Sequence, residues 1–302
     1  MMRKFLSIAF CAGMLGWSAQ ALAQETFDTP DAAVEALVGA AKSEDTDAIL
    51  KVLGPDGKDI VSSGDEVADR NVREAFVASY DNKHEIENEG DGTYTLVLGG
   101  DDWPFPIPVV YGNGGWHFDT EGGVDEILRR RIGRNELSAI EVNRAYVEAQ
   151  NEYAALDPAK LGRRAYAQRI VSRPGQKDGL YWPTEDGEQP SPLGELAAEA
   201  AAEGYKVGQT PIPYHGYYYR VLTRQGPAAQ GGAYNYVDKG KMVGGFALIA
   251  YPAEYGNSGI VTFIVSHDGT VFQKDLGPDT ARLARDIAAF DPGPGWTEAE
   301  AR

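Results

Sequence analysis

The feature that most constrains this chain is a change of hydrophobic period, from helical to extended, that occurs twice along its length. In the first half, Thr29-Pro30-Asp31 offers a capping hydroxyl, a proline suited to the first helical position and a carboxylate for the first turn. Val34, Leu37, Val38 and Ala41 follow on one face. Thr46-Asp47 opens a second helix that Gly54-Pro55 stops, and a third follows Asp69 with Val72, Phe76 and Tyr80. From Lys83 the period is two: Tyr94, Leu96 and Leu98 alternate, as do Ile107, Val109 and Tyr111. Asn113-Gly114 is a two-residue hairpin signal before Trp116 and Phe118. Three helices ahead of four antiparallel strands predict an α+β domain over residues 24–134.

The second change follows the basic cluster Arg129, Arg130, Arg131 and Arg134, which marks the expected domain boundary. Asn135-Glu136 starts a long helix in which Ala139, Val142, Tyr146, Ala149 and Tyr153 recur at steps of three and four along one seam. After a stretch punctuated by Gly and Pro, a short helix covers Leu196 to Ala202. Strands are then predicted at Tyr217 to Leu222, Gly245 to Tyr251, Ile260 to Ser266 and Val271 to Lys274, with a tight turn at Asp268-Gly269. Residues 135–290 therefore read as a second α+β domain, a long helix packed on an antiparallel sheet, with a terminal helix over Thr280 to Ala289. Residues 291–302, opening with Asp291-Pro292-Gly293-Pro294-Gly295, read as a flexible tail.

Ahead of both halves, Arg3 and Lys4 precede the apolar run Phe5 to Trp17, and Ala21-Leu22-Ala23 supplies the small-x-small pattern of signal cleavage. Residues 1–23 are expected to leave after Ala23, placing the mature chain in the periplasm. The apolar run is shorter than the ~20 residues that cross a bilayer, so a membrane-spanning reading is excluded. Cys11, the single cysteine, departs with the signal; disulfides and thiol chemistry are then excluded, and packed cores must hold the fold. Net charge is −17, and −19 once Arg3 and Lys4 are gone, which repels a phosphate backbone and argues against nucleic acid as a partner.

Local catalytic signatures are missing. The four histidines are 33, 98 and 52 residues apart, and the chain carries no HExxH helix, EF-hand loop, Gly-x-Ser-x-Gly elbow, Walker loop or dinucleotide fingerprint, so no catalytic residue, metal or cofactor is assigned. His117 and Asp119, two apart on a predicted strand, share one face and form a candidate ligand pair, because a carboxylate orients an imidazole for proton transfer. Asp65, Glu66 and Asp69 crowd a helix start and read as caps. Of 16 tyrosines, 13 follow residue 140, and the group around the later strands makes Trp182, His215 and Tyr217 a candidate aromatic surface for a glycan or peptide. Alternation puts Tyr217 and Tyr219 on one side of the sheet and Tyr218 on the other.

The helix-then-sheet order of the first half resembles the small cone-shaped folds related to nuclear transport factor 2. Six strings carry a further likeness: Ser63-Gly64-Asp65, Asp102-Trp103-Pro104, Gly115-Trp116-His117-Phe118-Asp119, Arg130-Arg131-Ile132-Gly133-Arg134-Asn135-Glu136-Leu137, Tyr214-His215-Gly216-Tyr217-Tyr218 and Gly259-Ile260-Val261-Thr262-Phe263-Ile264-Val265. With these the chain resembles the exported bacterial domain-of-unknown-function 2950 family over its whole mature length. The second half is loosely similar to the globular domains of type II secretion pseudopilins, without their apolar stem. A soluble, non-enzymatic binding or accessory protein of the cell envelope, with an envelope ligand or protein as partner, is the expectation. The alternatives are an envelope hydrolase working through His117 and Asp119, and a structural partner of a secretion or envelope assembly.

Overall fold

The computed structural model describes residues 24–299 except 159, 186 and 209–211. The expected export signal, residues 1–23, and residues 300–302 of the expected tail lie outside the described residues.

Helix α1 (Pro30–Lys42) is capped by Thr29, whose hydroxyl accepts from the Ala32 N–H at 3.1 Å, and α2 (Thr46–Leu53) by Asp45, which accepts from the Ala48 N–H at 3.1 Å. A single turn, α3 (Lys58–Val61), precedes α4 (Glu66–Asn82), which starts after Asp65 rather than Asp69, because Asp65 Oδ1 accepts from the Ala68 N–H. Strands β1 (His84–Asn88), β2 (Thr93–Leu98), β3 (Trp103–Pro104), β4 (Val109–Gly112) and β5 (Gly115–Phe118) form an antiparallel sheet ordered β1-β2-β4-β5, with β3 on β2. The strand beyond the expected four is β3, two residues long, directly after the turn at Asp101-Asp102. Asn113 and Gly114 take φ of 52° and 88°, the paired left-handed conformation of a two-residue hairpin. Leu96, Leu98, Ile107, Val109 and Phe118 join Val34, Leu37, Ile49 and Leu53 in one buried cluster.

Helix α5 (Thr120–Leu156) begins fifteen residues before the expected Asn135 and carries residue 134 in its interior. Asp119 caps it, accepting from the Gly122 N–H. Gly123, in its first turn, has a packing reason. A Cβ on Gly123 would sit 2.6 Å from the Pro106 carbonyl oxygen and 2.7 Å from Ile107 Cγ1, so only glycine lets the helix pass this close to the first sheet. The N-terminal part of α5 brings Ile127 to the first cluster, while Ala139, Tyr146, Ala149 and Tyr153 join the second.

Helix α6 (Gly194–Ala202) leads to β6 (Tyr217–Leu222). Two short ladders follow, β7 (Arg224–Gln225) with β8 (Tyr234–Asn235) and β9 (Val237–Asp238) with β10 (Lys241–Met242). Then come β11 (Ala247–Pro252), β12 (Val261–Ser266), β13 (Val271–Asp275), α7 (Thr280–Asp286) and β14 (Thr297–Glu298). The second sheet is antiparallel and ordered β14-β13-β12-β11-β6, so the architecture is α+β in both halves. Residues 291–299, expected to be loose, instead finish this sheet. Thr297 pairs with Gln273, the Ala299 N–H donates to the Val271 carbonyl at 2.8 Å, and Trp296 packs on the core, an apolar anchor that the Gly/Pro run only redirects. No helix among the described residues is long and apolar enough to cross a membrane.

Polar groups join the two clusters. Arg131, 8% exposed, donates to the carbonyls of Asp59 and Ile60 and to Asn257 Oδ1, and Asn257 Nδ2 donates to the Ser62 carbonyl at 2.7 Å. Burial lowers the Arg131 guanidinium from its usual value, while the Asp69 carboxylate acts in the opposite direction.

Candidate functional site

A cleft of about 690 Å3 lies beside β6, the last strand of the second sheet. Its walls come from residues 218–221 of β6, Val142 and Tyr146 of α5, Leu196 and Ala200 of α6, the segments 168–174 and 205–208, and Tyr214, Leu248 and Tyr251. These are mostly apolar and aromatic side chains with a few polar groups, the usual make-up of a ligand site.

The tyrosines divide into two sets. One set has satisfied hydroxyls: Tyr146, which reaches from the core to the cleft wall, donates to the Ala247 carbonyl, Tyr153 to the Lys177 carbonyl, Tyr217 to the Val261 carbonyl and Tyr236 to Gln225 Oε1. Five that line the cleft, Tyr181, Tyr214, Tyr218, Tyr219 and Tyr251, have hydroxyls with no protein partner among the described residues. The Tyr219 hydroxyl is buried as well as unpartnered. Burial pushes the Tyr219 phenol well above its usual range, helped by Tyr214, Tyr205 and Asp65, and burial with the Glu203 and Glu199 charges pushes Tyr214 up to about 12. Each of the five offers a ring face together with a hydroxyl that donates or accepts.

One end of the cleft is fixed by a buried carboxylate from the first half. Asp65, 1% exposed, caps α4 with Oδ1, and its Oδ2 accepts from the Tyr205 hydroxyl and the Gly216 N–H, both at 2.9 Å. Tyr205 in turn meets Tyr214 edge-on, and Tyr214 stacks on the His215 ring at 4.1 Å. His215 Nε2 lies 2.7 Å from Glu203 Oε2, which fixes the imidazole, and Glu203 itself is tied to the first half where its carbonyl accepts from Asn71 Nδ2. The charged residues in the cleft wall are Arg169, Arg173, Lys206 and Arg220. Among its described lining residues there is no carboxylate, imidazole or thiol, and Ser172 Oγ accepts from the Gly179 N–H.

The structure separates the residues singled out from the sequence. His117 lies on β5 with its ring against Gly112 and its buried Nδ1 unpartnered, whereas Asp119 is beyond the end of the strand as the cap of α5. Neither lines the cleft. Trp182 is buried, edge-on to Tyr153 with the Lys177 ammonium 5.3 Å from its ring centre, and its indole N–H has no partner. Tyr217 is fully buried in the sheet core. His215 is at the cleft's end, behind Tyr214. Asp65 and Tyr205 were not singled out as site residues, and no local signal marks them: their contact spans 140 positions. The alternation of Tyr217, Tyr218 and Tyr219 was the available clue to the wall of β6.

A family model described as a protein of unknown function (DUF2950) matches residues 24–299. That span is nearly all of the chain, and the chain belongs to this family. No curated protein and no solved structure matches it.

Proposed function

We propose that this chain is a non-enzymatic binding or accessory protein of the cell envelope, exported to the periplasm on cleavage after Ala23, and that it holds its ligand in the tyrosine-lined cleft beside β6. The contrast between the two sets of tyrosine hydroxyls carries this conclusion. A protein that satisfies the hydroxyls of Tyr146, Tyr153, Tyr217 and Tyr236 in its core leaves five unsatisfied around one cleft, where a ligand can complete them. The wall supports holding rather than bond-making, since its own side chains supply aromatic faces, hydroxyls and cations. His215 serves as the end stop, positioned by Glu203 and stacked behind Tyr214, with Tyr217 supporting the strand from the core side. Trp182 braces the cluster through Tyr153.

Binding of defined probes tests this. Mature protein is screened by isothermal calorimetry against a set of oligosaccharides and a set of extended peptides, in parallel with a Tyr214→Ala/Tyr218→Ala variant. At least one set binds the native protein and not the variant, whose thermal midpoint stays within a few degrees because both side chains are only partly buried. Failure of both sets, together with native mass spectrometry showing no ligand on protein taken from its own periplasm, overturns the binding reading.

A further inference from the structure

We infer that the occupant of the cleft is an acidic peptide in extended conformation, which adds to the free edge of β6 as a further antiparallel or parallel strand; this rests on the cleft being a binding site, as proposed above. The backbone supplies the first argument. Tyr217 exchanges both its N–H and its carbonyl with Tyr214, at 3.1 and 2.9 Å, while the Gly216 carbonyl accepts from the Ala253 N–H on the β11 side. Odd-numbered residues of β6 therefore turn their backbone groups away from β11 and even-numbered ones toward it. Thr223 obeys the same rule: its carbonyl faces outward and accepts from the Tyr236 N–H at 2.9 Å. The outer edge is thus closed at Tyr217 and closed again at Thr223. Between them Tyr219 and Val221 present two N–H groups and two carbonyls that have no partner among the described residues, and both residues line the cleft. A gap of this kind in a sheet edge is a template for a strand.

The side chains supply the second argument. Along β6, Tyr219 and Val221 project to one face and Tyr218 and Arg220 to the other, and all four border the cleft, so the opening lies alongside the edge and not over a sheet face. An added strand places alternate side chains against Tyr219 on one side and Tyr218 and Tyr251 on the other. Charge supplies the third. In a chain of net charge −17, every charged residue of the wall is basic. Arg220 is committed to the Ala284 and Ile287 carbonyls, but Arg169 and Arg173 share the single carboxylate of Asp178 at 3.6 and 2.7 Å, and exposed Lys206 has no carboxylate partner among the described residues. Among the lining side chains the surplus is positive, which favours carboxylates on a guest lying along the wall, away from the end where Glu199 and Glu203 act on Tyr214.

The test uses the full mature chain and three eight-residue probes: alternating valine and glutamate, the same with glutamine, and the glutamate peptide N-methylated at every second amide. The glutamate peptide is expected to bind by calorimetry, with affinity reduced about tenfold or more by glutamine, by N-methylation on the β6 side and by Lys206→Glu in the protein. Hydrogen exchange of the bound complex should show new protection at the Tyr219 and Val221 amides, while Lys206→Glu leaves the thermal midpoint unchanged. Binding that is indifferent to N-methylation, or that leaves those two amides unprotected, overturns strand addition. Binding of an oligosaccharide in the cleft with no peptide affinity overturns this inference and leaves the binding function standing; absence of both overturns the two together.

Discussion

The two sheets are built from similar materials and treat their edges differently. In the first, β1 places exposed Glu85 and Glu87 along its outer side, charges that discourage a further strand, and β5 is closed by Phe27, which exchanges two 2.8 Å backbone bonds with Trp116. In the second, β14 is only two residues long, and β6 is closed at both ends but not between them. The difference teaches that the backbone groups left open on this molecule are set by where edge coverage stops, since each sheet buries apolar residues in a cluster of its own.

The largest effect expected on that comparison is in the cores. Leu98→Ala, at a side chain 2% exposed in the closed first sheet, should cost about 2 to 5 kcal/mol in urea unfolding, through lost burial and a cavity. Leu248→Ala should fall at the low end of that range, because the space it vacates adjoins the cleft; equal losses would mean that the cleft wall is as closed as the first core.

Next are two aspartate caps. Asp45→Ala removes a helix cap alone and should cost about 1 kcal/mol. Asp65→Ala also strands the Tyr205 hydroxyl and the Gly216 N–H in a buried place, so about 2 to 3 kcal/mol is expected, with partial recovery in Asp65→Asn. A loss no larger than that of Asp45→Ala would remove Asp65 as the tie between the first half and the cleft.

Smaller still is a pair of hydroxyl deletions one strand-period apart. Tyr217→Phe gives up a bonded hydroxyl and should lose about 1 kcal/mol, while Tyr219→Phe removes an unpartnered buried one and should be neutral or slightly stabilising. Matching thermal shifts for the two would contradict the division of the tyrosines into core and cleft.

Near neutrality the pH effect is the smallest of all and grows only in alkali. Tyr214, Tyr217 and Tyr236 have folded values raised above the unfolded value of about 10, so their contribution to stability is intact below that pH and is lost as pH rises through the folded values. Absorbance titration should place Tyr214 near 12, and Tyr214→Phe should delete that step while leaving the first half's Tyr80 transition in place.

Much of the scaffold was legible because it depends on near neighbours. The strand predicted at Tyr217 to Leu222 has the bounds of β6, and the hairpin predicted at Asn113-Gly114 has the left-handed pair that its residue types favour. Legibility failed where a distant contact overrode a local signal. The long helix expected from Asn135 starts at Thr120, where Gly123 passes close to Pro106 and Ile107, and the pairing of His117 with Asp119 needs a strand that ends at Phe118. The tyrosine concentration falls in the half that holds the cleft, but composition does not say which hydroxyls find partners.

The sequence by itself determined the alternation of helix and strand, the caps and turns, the α+β class of each half and the family, since all of these follow from periodicity and residue type over short spans. Only the tertiary structure decided that one helix of 37 residues serves both halves, that Asp65 reaches Tyr205, and that β6 keeps an open edge between Tyr217 and Thr223. Each of these is a matter of which backbone or side-chain group meets which across more than ten residues of chain, and hydrogen bonds are satisfied by position in space, not by order along the sequence.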